Sequence, residues 1–223
     1  MMHQNKSKKI LFYVFLLFVV GSINNITLSN IKFFQIKNIN IKGLADVENE
    51  ILLSNLNNIF FKNILLINKN EIRKIIEKNT LVEKYTILKK YPSTLNIRIE
   101  KTKFLAKINK NNKIFYIGSN GKLIKNNIKY ELPFIFGNPG INEFLTFKKI
   151  IDNSKINYEE IKNLYYFQSN RWDIELNDNL IIKLPKKNLD NSLNIAFDIF
   201  KNDNFKKLKQ IDLRIKNQII TND

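Results

Sequence analysis

Residues 82–100 read VEKYTILKKYPSTLNIRIE, and this stretch decides the fold. Its second half, 94–100, alternates without a break. Leu95, Ile97 and Ile99 fall on one face and Asn96, Arg98 and Glu100 on the other, the period-two pattern of a half-buried strand. Residues 82–89 are predicted as a further strand. Between the two lie Tyr91, Pro92 and Ser93. Pro92 cannot donate to a ladder and biases Tyr91 away from helix, so a turn here has a mechanism.

Upstream, 33–41 (FFQIKNINI) reads as a strand ended by Gly43. Asp46 is expected to cap a helix over 47–57 with Ile51, Leu52 and Leu56 facing inward. Asn68 is expected to cap a second helix over 69–79, where Ile72, Ile75 and Ile76 recur at helical spacing. Strand, helix, helix, strand, strand makes a small α+β domain.

Downstream of Phe104 the texture changes to short strands. Residues 104–108 and 113–117 are candidates, followed by a turn at Ser119, Asn120 and Gly121. Pro133, Gly137, Pro139 and Gly140 punctuate a loop, and helices are predicted over 143–152 and 158–164. Residues 172–176 and 180–184 bracket Asn177, Asp178 and Asn179 as a hairpin. Leu189, Leu193, Ala196, Phe197 and Phe200 stand at i, i+4, i+7, i+8 and i+11, the spacing of an amphipathic helix. Residues 209–213 and 218–221 close the chain as a last hairpin. The second half is therefore expected to be β-rich and mixed, with flanking helices.

The N-terminus reads differently. Lys6, Lys8 and Lys9 precede ILFYVFLLFVVG, and no charge follows until beyond Ile31. The stretch 10–31 meets the roughly 20-residue requirement for a transmembrane helix, and the lysines place its leading end in the cytoplasm. The rival is a cleavable signal peptide with a small-residue site at Val20, Gly21 and Ser22. Both readings export the body.

Composition narrows the chemistry. There is no cysteine, and the one histidine is His3, ahead of the apolar run. Thiolate and imidazole metal sites and Ser-His catalysis are thereby excluded for the exported part. Asp152, Glu159 and Glu160, and separately Asp173 and Glu175, are the only carboxylate groupings of note, and they read as solvated charges beside many lysines. Residues 118–122 (GSNGK) lack the spacing of a phosphate loop and read as a turn. The net charge of +17 is spread along the chain without an Arg-rich arm or an RNA-binding signature, so no nucleic acid, cofactor, metal or small-molecule substrate is expected.

Residues 34–43, 48–56 and 84–100 together resemble the POTRA domain of the bacterial FtsQ/DivIB family of division proteins. The stretch 85–100 is similar to that family's run of strand, basic-Tyr-Pro, turn and Leu-x-Ile-x-Val-x-Glu. Gly121 matches its Asp-x-x-Gly turn, although Gly118 stands where Asp is usual. Leu132-Pro133 with Gly137, the run 171–176 (RWDIEL) with Leu184-Pro185, and Ile211-Asp212-Leu213-Arg214 match further motifs in order. The resemblance implies a cytoplasmic tail (1–9), a transmembrane anchor (10–31), a POTRA domain (32–101) and an FtsQ-type β domain (102–223). It implies a single-pass inner-membrane protein at the division septum, non-catalytic, with a periplasmic body. Partners of the FtsB/FtsL type would bind the second domain, and other division proteins the POTRA domain. POTRA domains also occur in export and outer-membrane assembly proteins, but those continue into a barrel whose girdled strands are not found here.

The expected partner site is the last strand, since an unpaired edge offers N–H and C=O groups to an incoming strand. It comprises Ile215, Asn217, Gln218, Ile219, Ile220 and Thr221, with Arg171 added from the Arg-Trp motif. One of Ile219 and Ile220 is expected to anchor in the core while the other, with Ile215, meets the partner. The competing reading is a blunt edge guarded by Lys209, Arg214 and Lys216. Many family members carry Tyr where this chain has Ile215.

Overall fold

The computed structural model describes residues 4–23, 34–125, 130–202 and 208–222. The chain divides into two compact units, Met1–Lys101 and Thr102–Asp223.

The first unit opens with helix α1 (Gln4–Ile23), whose side chains are exposed from Lys8 to Gly21. The predicted span over 10–31 is not found as such. The helix spends its first turns on polar and charged residues, and its apolar run over 10–20 is only about 17 Å long against a hydrocarbon core of about 30 Å. Among the described residues no helix is long and apolar enough to cross a membrane; residues 24–31 of the prediction lie outside them.

Beyond it, β1 (Asn38–Lys42), β2 (Val82–Lys90) and β3 (Thr94–Lys101) form a three-stranded sheet in the order β1-β3-β2. β3 runs parallel to β1 and antiparallel to β2, with Ile97 opposite both Ile41 and Ile87. The predicted alternation holds, as Leu95, Ile97 and Ile99 are buried. Helices α2 (Asp46–Asn55) and α3 (Lys69–Lys78) complete that core with Leu52, Leu56, Ile72 and Ile76. Asn68 caps α3 as expected, its side-chain oxygen accepting from the Asn70 N–H at 2.9 Å. Two expectations for α2 fail. Ala45 is the cap, its N–H donating to Glu48 at 3.0 Å, and Asp46 is already helical. Ile51 is exposed, because Leu52 and Leu56 set the buried stripe and Ile51 lies about 100° away from it. Gly43 is required by sterics. At φ +118° an added Cβ would stand 1.8 Å from the Ile99 carbonyl oxygen.

The second unit is a nine-stranded mixed sheet, ordered β12-β11-β10-β9-β8-β7-β4-β5-β6. Its strands are β4 (Phe104–Lys110), β5 (Lys113–Gly118), β6 (Leu123–Ile124), β7 (Phe134–Phe136), β8 (Ile161–Phe167), β9 (Arg171–Leu176), β10 (Ile181–Lys183), β11 (Gln210–Asp212) and β12 (Ile220–Asn222). Helix α4 (Ile141–Asn153) joins parallel neighbours β7 and β8, and α5 (Leu189–Phe200) joins parallel neighbours β10 and β11. These are the crossover units that parallel pairing requires. Both helices share one core with the sheet, through Phe144, Phe147 and Ile151 of α4 and Leu193 and Ala196 of α5.

Two predictions here are corrected. Residues 158–164 are a short 3-10 turn (Tyr158–Glu160) leading into β8, not a helix. Ile161 and Leu164 show helix-like spacing because an irregularity between Ile161 and Asn163 turns both inward. The loop predicted around Pro133 and Gly137 contains β7, a three-residue strand paired with both β4 and β8. Gly137 ends it at φ +92°, where a Cβ would lie 2.2 Å from the Tyr166 carbonyl oxygen.

Candidate partner-binding interface

Register fixes which residues share a face. Ile108, Ile135, Leu164, Ile174, Ile182 and Ile211 form one row across β4, β7, β8, β9, β10 and β11, all buried in the core shared with α4 and α5. The next row is Phe136, Tyr165, Asp173, Lys183, Asp212 and Ile220. Side chains alternate along each strand, so this second row points to the opposite face.

That face carries two kinds of contact. Phe136 stacks on Tyr165 with ring centres 5.0 Å apart, and the Arg171 guanidinium lies 4.2 Å over the Phe167 ring. Beyond them runs a line of charges. Arg171 Nε donates to Asp173 Oδ1 at 3.2 Å, and the Leu184 N–H donates to the same oxygen at 3.3 Å. Arg214 grips Asp212 through Nε at 2.8 and 3.0 Å, and its own N–H donates to Asp212 at 3.0 Å.

Asp173 and Asp212 are both buried, yet their acidities move in opposite directions. Burial pushes the Asp173 carboxyl up, outweighing the pull of Arg171, the Leu184 N–H and Arg214. The Arg214 hydrogen bonds hold Asp212 below the ordinary 3.8 despite burial. Glu175 lies in a further network, accepting from Asn163 at 2.8 Å and Tyr165 at 2.6 Å, with Lys162 at 3.1 Å. Burial and then that hydrogen bond push the Tyr165 phenol up to about 12. The reading of Asp173 and Glu175 as solvated charges is therefore wrong, because the sheet brings Arg171 and the Leu184 N–H to Asp173, and Lys162, Asn163 and the Tyr165 phenol to Glu175. Asp152 pairs with Lys148, one turn away on α4. Among the described residues no group of His, Cys, Asp and Glu could hold a metal ion.

The row ends at β12. Ile211 faces Thr221 and Asp212 faces Ile220, and β12 forms the border of the sheet with every residue exposed. Of the predicted site residues, Ile220 and Thr221 lie in this strand. Asn217 and Gln218 belong instead to the turn before it, with Asn217 left-handed at φ +60° and the Gln218 N–H donating to the Ile215 carbonyl. The strand thus covers 220–222, not 218–221. Ile215, Ile219 and Ile220 are 52%, 51% and 47% exposed. The expected division between a core anchor and a partner contact does not occur, because the inner row ends at Thr221, which is exposed like the rest of β12. Arg171 lies on the same face but over β8 and β9. Asp173, Lys183 and Asp212, which link it to the edge, were not foreseen as a set. The parallel β10–β11 pairing that aligns them leaves no local signal.

The chain is thus a βααββ unit followed by a helix-backed mixed sheet whose border is its last strand. Residues 34–101 match the POTRA domain of FtsQ type, and residues 106–214 match the C-terminal domain of cell division protein FtsQ/DivIB. The chain belongs to the FtsQ/DivIB family. Similar relatives include the cell division protein FtsQ of Rickettsia bellii, 28% identical over 203 residues covering 83% of this chain and 71% of that protein. The FtsQ of Rickettsia felis is 28% identical over 197 residues with the same coverage. The major extracytoplasmic domain of the trans isomer of DivIB from Geobacillus stearothermophilus aligns with a TM-score of 0.33 at 12% identity, covering 42% of this chain and 87% of that one.

Proposed function

We propose that this protein is a non-catalytic, single-pass scaffold of the division septum that holds partners of the FtsB/FtsL type on the free side of β12. The N-terminal apolar segment, continued through residues 24–31, would anchor it in the inner membrane with its body in the periplasm. The POTRA unit would meet other division proteins. The observation that carries the reading is the open border at β12, where an extended partner segment can continue the sheet.

Backbone pairing at such an edge nets only about 0.5–1.5 kcal/mol per hydrogen bond, so apolar anchors must add to it. Ile220 is placed for this, beside Asp212 on the face opposite the core shared with α4 and α5, with Ile215 and Ile219 in the preceding turn. The Asp212–Arg214 fork fixes the backbone of β11, against which β12 rests.

The test is binding of the full chain in detergent micelles to the extracytoplasmic parts of an FtsB/FtsL pair. Micromolar or tighter binding is expected, weakened more than about tenfold (~1.4 kcal/mol) by Ile220→Glu and unchanged by Ile114→Glu on β5. No binding by the wild type, or equal loss in both variants, would remove the assignment.

A further inference from the structure

The most unusual backbone in the first unit is at Phe61. It holds φ +64° although it is a bulky aromatic, a conformation such residues rarely adopt. Phe61 is nonetheless 71% exposed, so the strain is not offset by burial within the chain. Leu65 and Leu66 follow, at 49% and 64% exposed, between buried Ile64 and Ile67. The rest of the loop is locked. N–H groups of Phe61 and Ile64 donate to the carbonyls of Ile36 and Phe34, and the Ile36 N–H returns a bond to Lys62. The Leu65 N–H donates to the Asn63 side chain, and those of Leu66 and Ile67 to its carbonyl. Lys89 reaches over to the Leu65 and Ile67 carbonyls at 3.4 Å.

Three exposed apolar side chains on a loop whose N–H groups at Phe61, Lys62, Ile64, Leu65, Leu66 and Ile67 all donate within the chain suit the bilayer interface, where apolar side chains are buried while the remaining carbonyls stay hydrated at headgroup level. The charges around it suit that surface. Lys62, Lys69 and Lys89 surround the loop, and the acid among them, Glu71, is held by Lys62 at 2.6 Å and Asn58 at 3.3 Å. The tether also fits. The loop is hydrogen-bonded to residues 34–36, and only residues 32 and 33 separate these from the 10–31 segment of the proposed anchor, which keeps the loop near the membrane surface.

We infer that the loop carrying Phe61, Leu65 and Leu66 is a second membrane contact, dipping its apolar side chains into the anionic lipid surface beside the anchor. This rests on the anchored reading above. It makes the POTRA unit lie against the bilayer through a fixed face, with aromatic and leucine residues at headgroup depth and lysines on anionic lipid.

The chain has no cysteine, so single-cysteine variants can carry a polarity-sensitive dye. Full-length protein labelled at Leu66→Cys or at Leu17→Cys is reconstituted into phosphatidylglycerol vesicles with acyl chains brominated or not. Both dyes are expected to be quenched by bromolipid, with Leu66 losing its quenching in the Phe61→Gly background. That variant relieves the left-handed strain and should melt no lower than the parent, so the loss would not reflect unfolding. Quenching at Leu17 alone overturns the loop contact and leaves the anchor. Quenching at Leu66 alone supports the loop and removes the anchor. Quenching at neither position removes both.

Discussion

β3 and β12 are strands of the same chain with opposite circumstances. β3 has a neighbour on each side and buries Leu95, Ile97 and Ile99 under two helices. Among the described residues β12 has one neighbouring strand, and all three of its residues are exposed. A strand with a core beneath one face writes its register into its sequence, since a slip by one residue would turn its apolar set to water. At a sheet border that penalty is missing, and only the pairing with β11 defines the strand. The largest effect should follow the same line. Ile97→Ala in β3 is expected to cost about 2–5 kcal/mol, the range for truncating a fully buried isoleucine, read as a lowered urea midpoint with an unchanged slope.

Between these extremes lies the charged row that leads to the edge. Arg214→Ala leaves the buried Asp212 carboxylate without its fork and should cost about 1–3 kcal/mol at neutral pH. The pH profile separates it from a packing defect. Asp212 is held below 3.8, so its contribution is fully present above that value and is lost as pH falls through the native pKa. Asp173 is raised above 3.8, so the stability it lends is present below that value and is lost as pH rises through its native pKa. Urea melts between pH 3 and 7 should therefore show a steeper acid limb in the wild type than in Asp212→Asn. The decline above pH 4 should flatten in Asp173→Asn. A profile identical in all three would contradict the assigned environments.

This gradient from centre to edge also marks what was legible in the sequence. The βααββ unit was readable because its strands and helices have one wet and one dry face, and the alternation at 95–99 and the helical spacing of Ile72 and Ile76 report that directly. Leu189 to Phe200 was readable for the same reason. Misreadings arose where local pattern and global pairing diverge. The irregularity in β8 gave Ile161 and Leu164 the spacing of a helix. β7 is three residues between a proline and a left-handed glycine, too short for any period, and is a strand only because β4 and β8 flank it. At the candidate interface the last strand was foreseen. The alignment of Asp173, Lys183 and Asp212 was not, because it depends on a parallel pairing across the whole of α5.

The smallest stability effect should fall at the site expected to matter most for binding. Ile220 is 47% exposed, and its row-mate on β11 is Asp212, so Ile220→Glu removes little burial and leaves the core untouched. Its cost should stay within about 0.5 kcal/mol, as for surface substitutions generally. The new carboxylate sits beside Asp212, which the Arg214 fork already neutralises. An unchanged melt together with lost partner affinity would mark a residue kept apolar for another chain. A drop near that of Ile97→Ala would mean that Ile220 packs within its own sheet, and the edge would then be a closed border, not a docking strand.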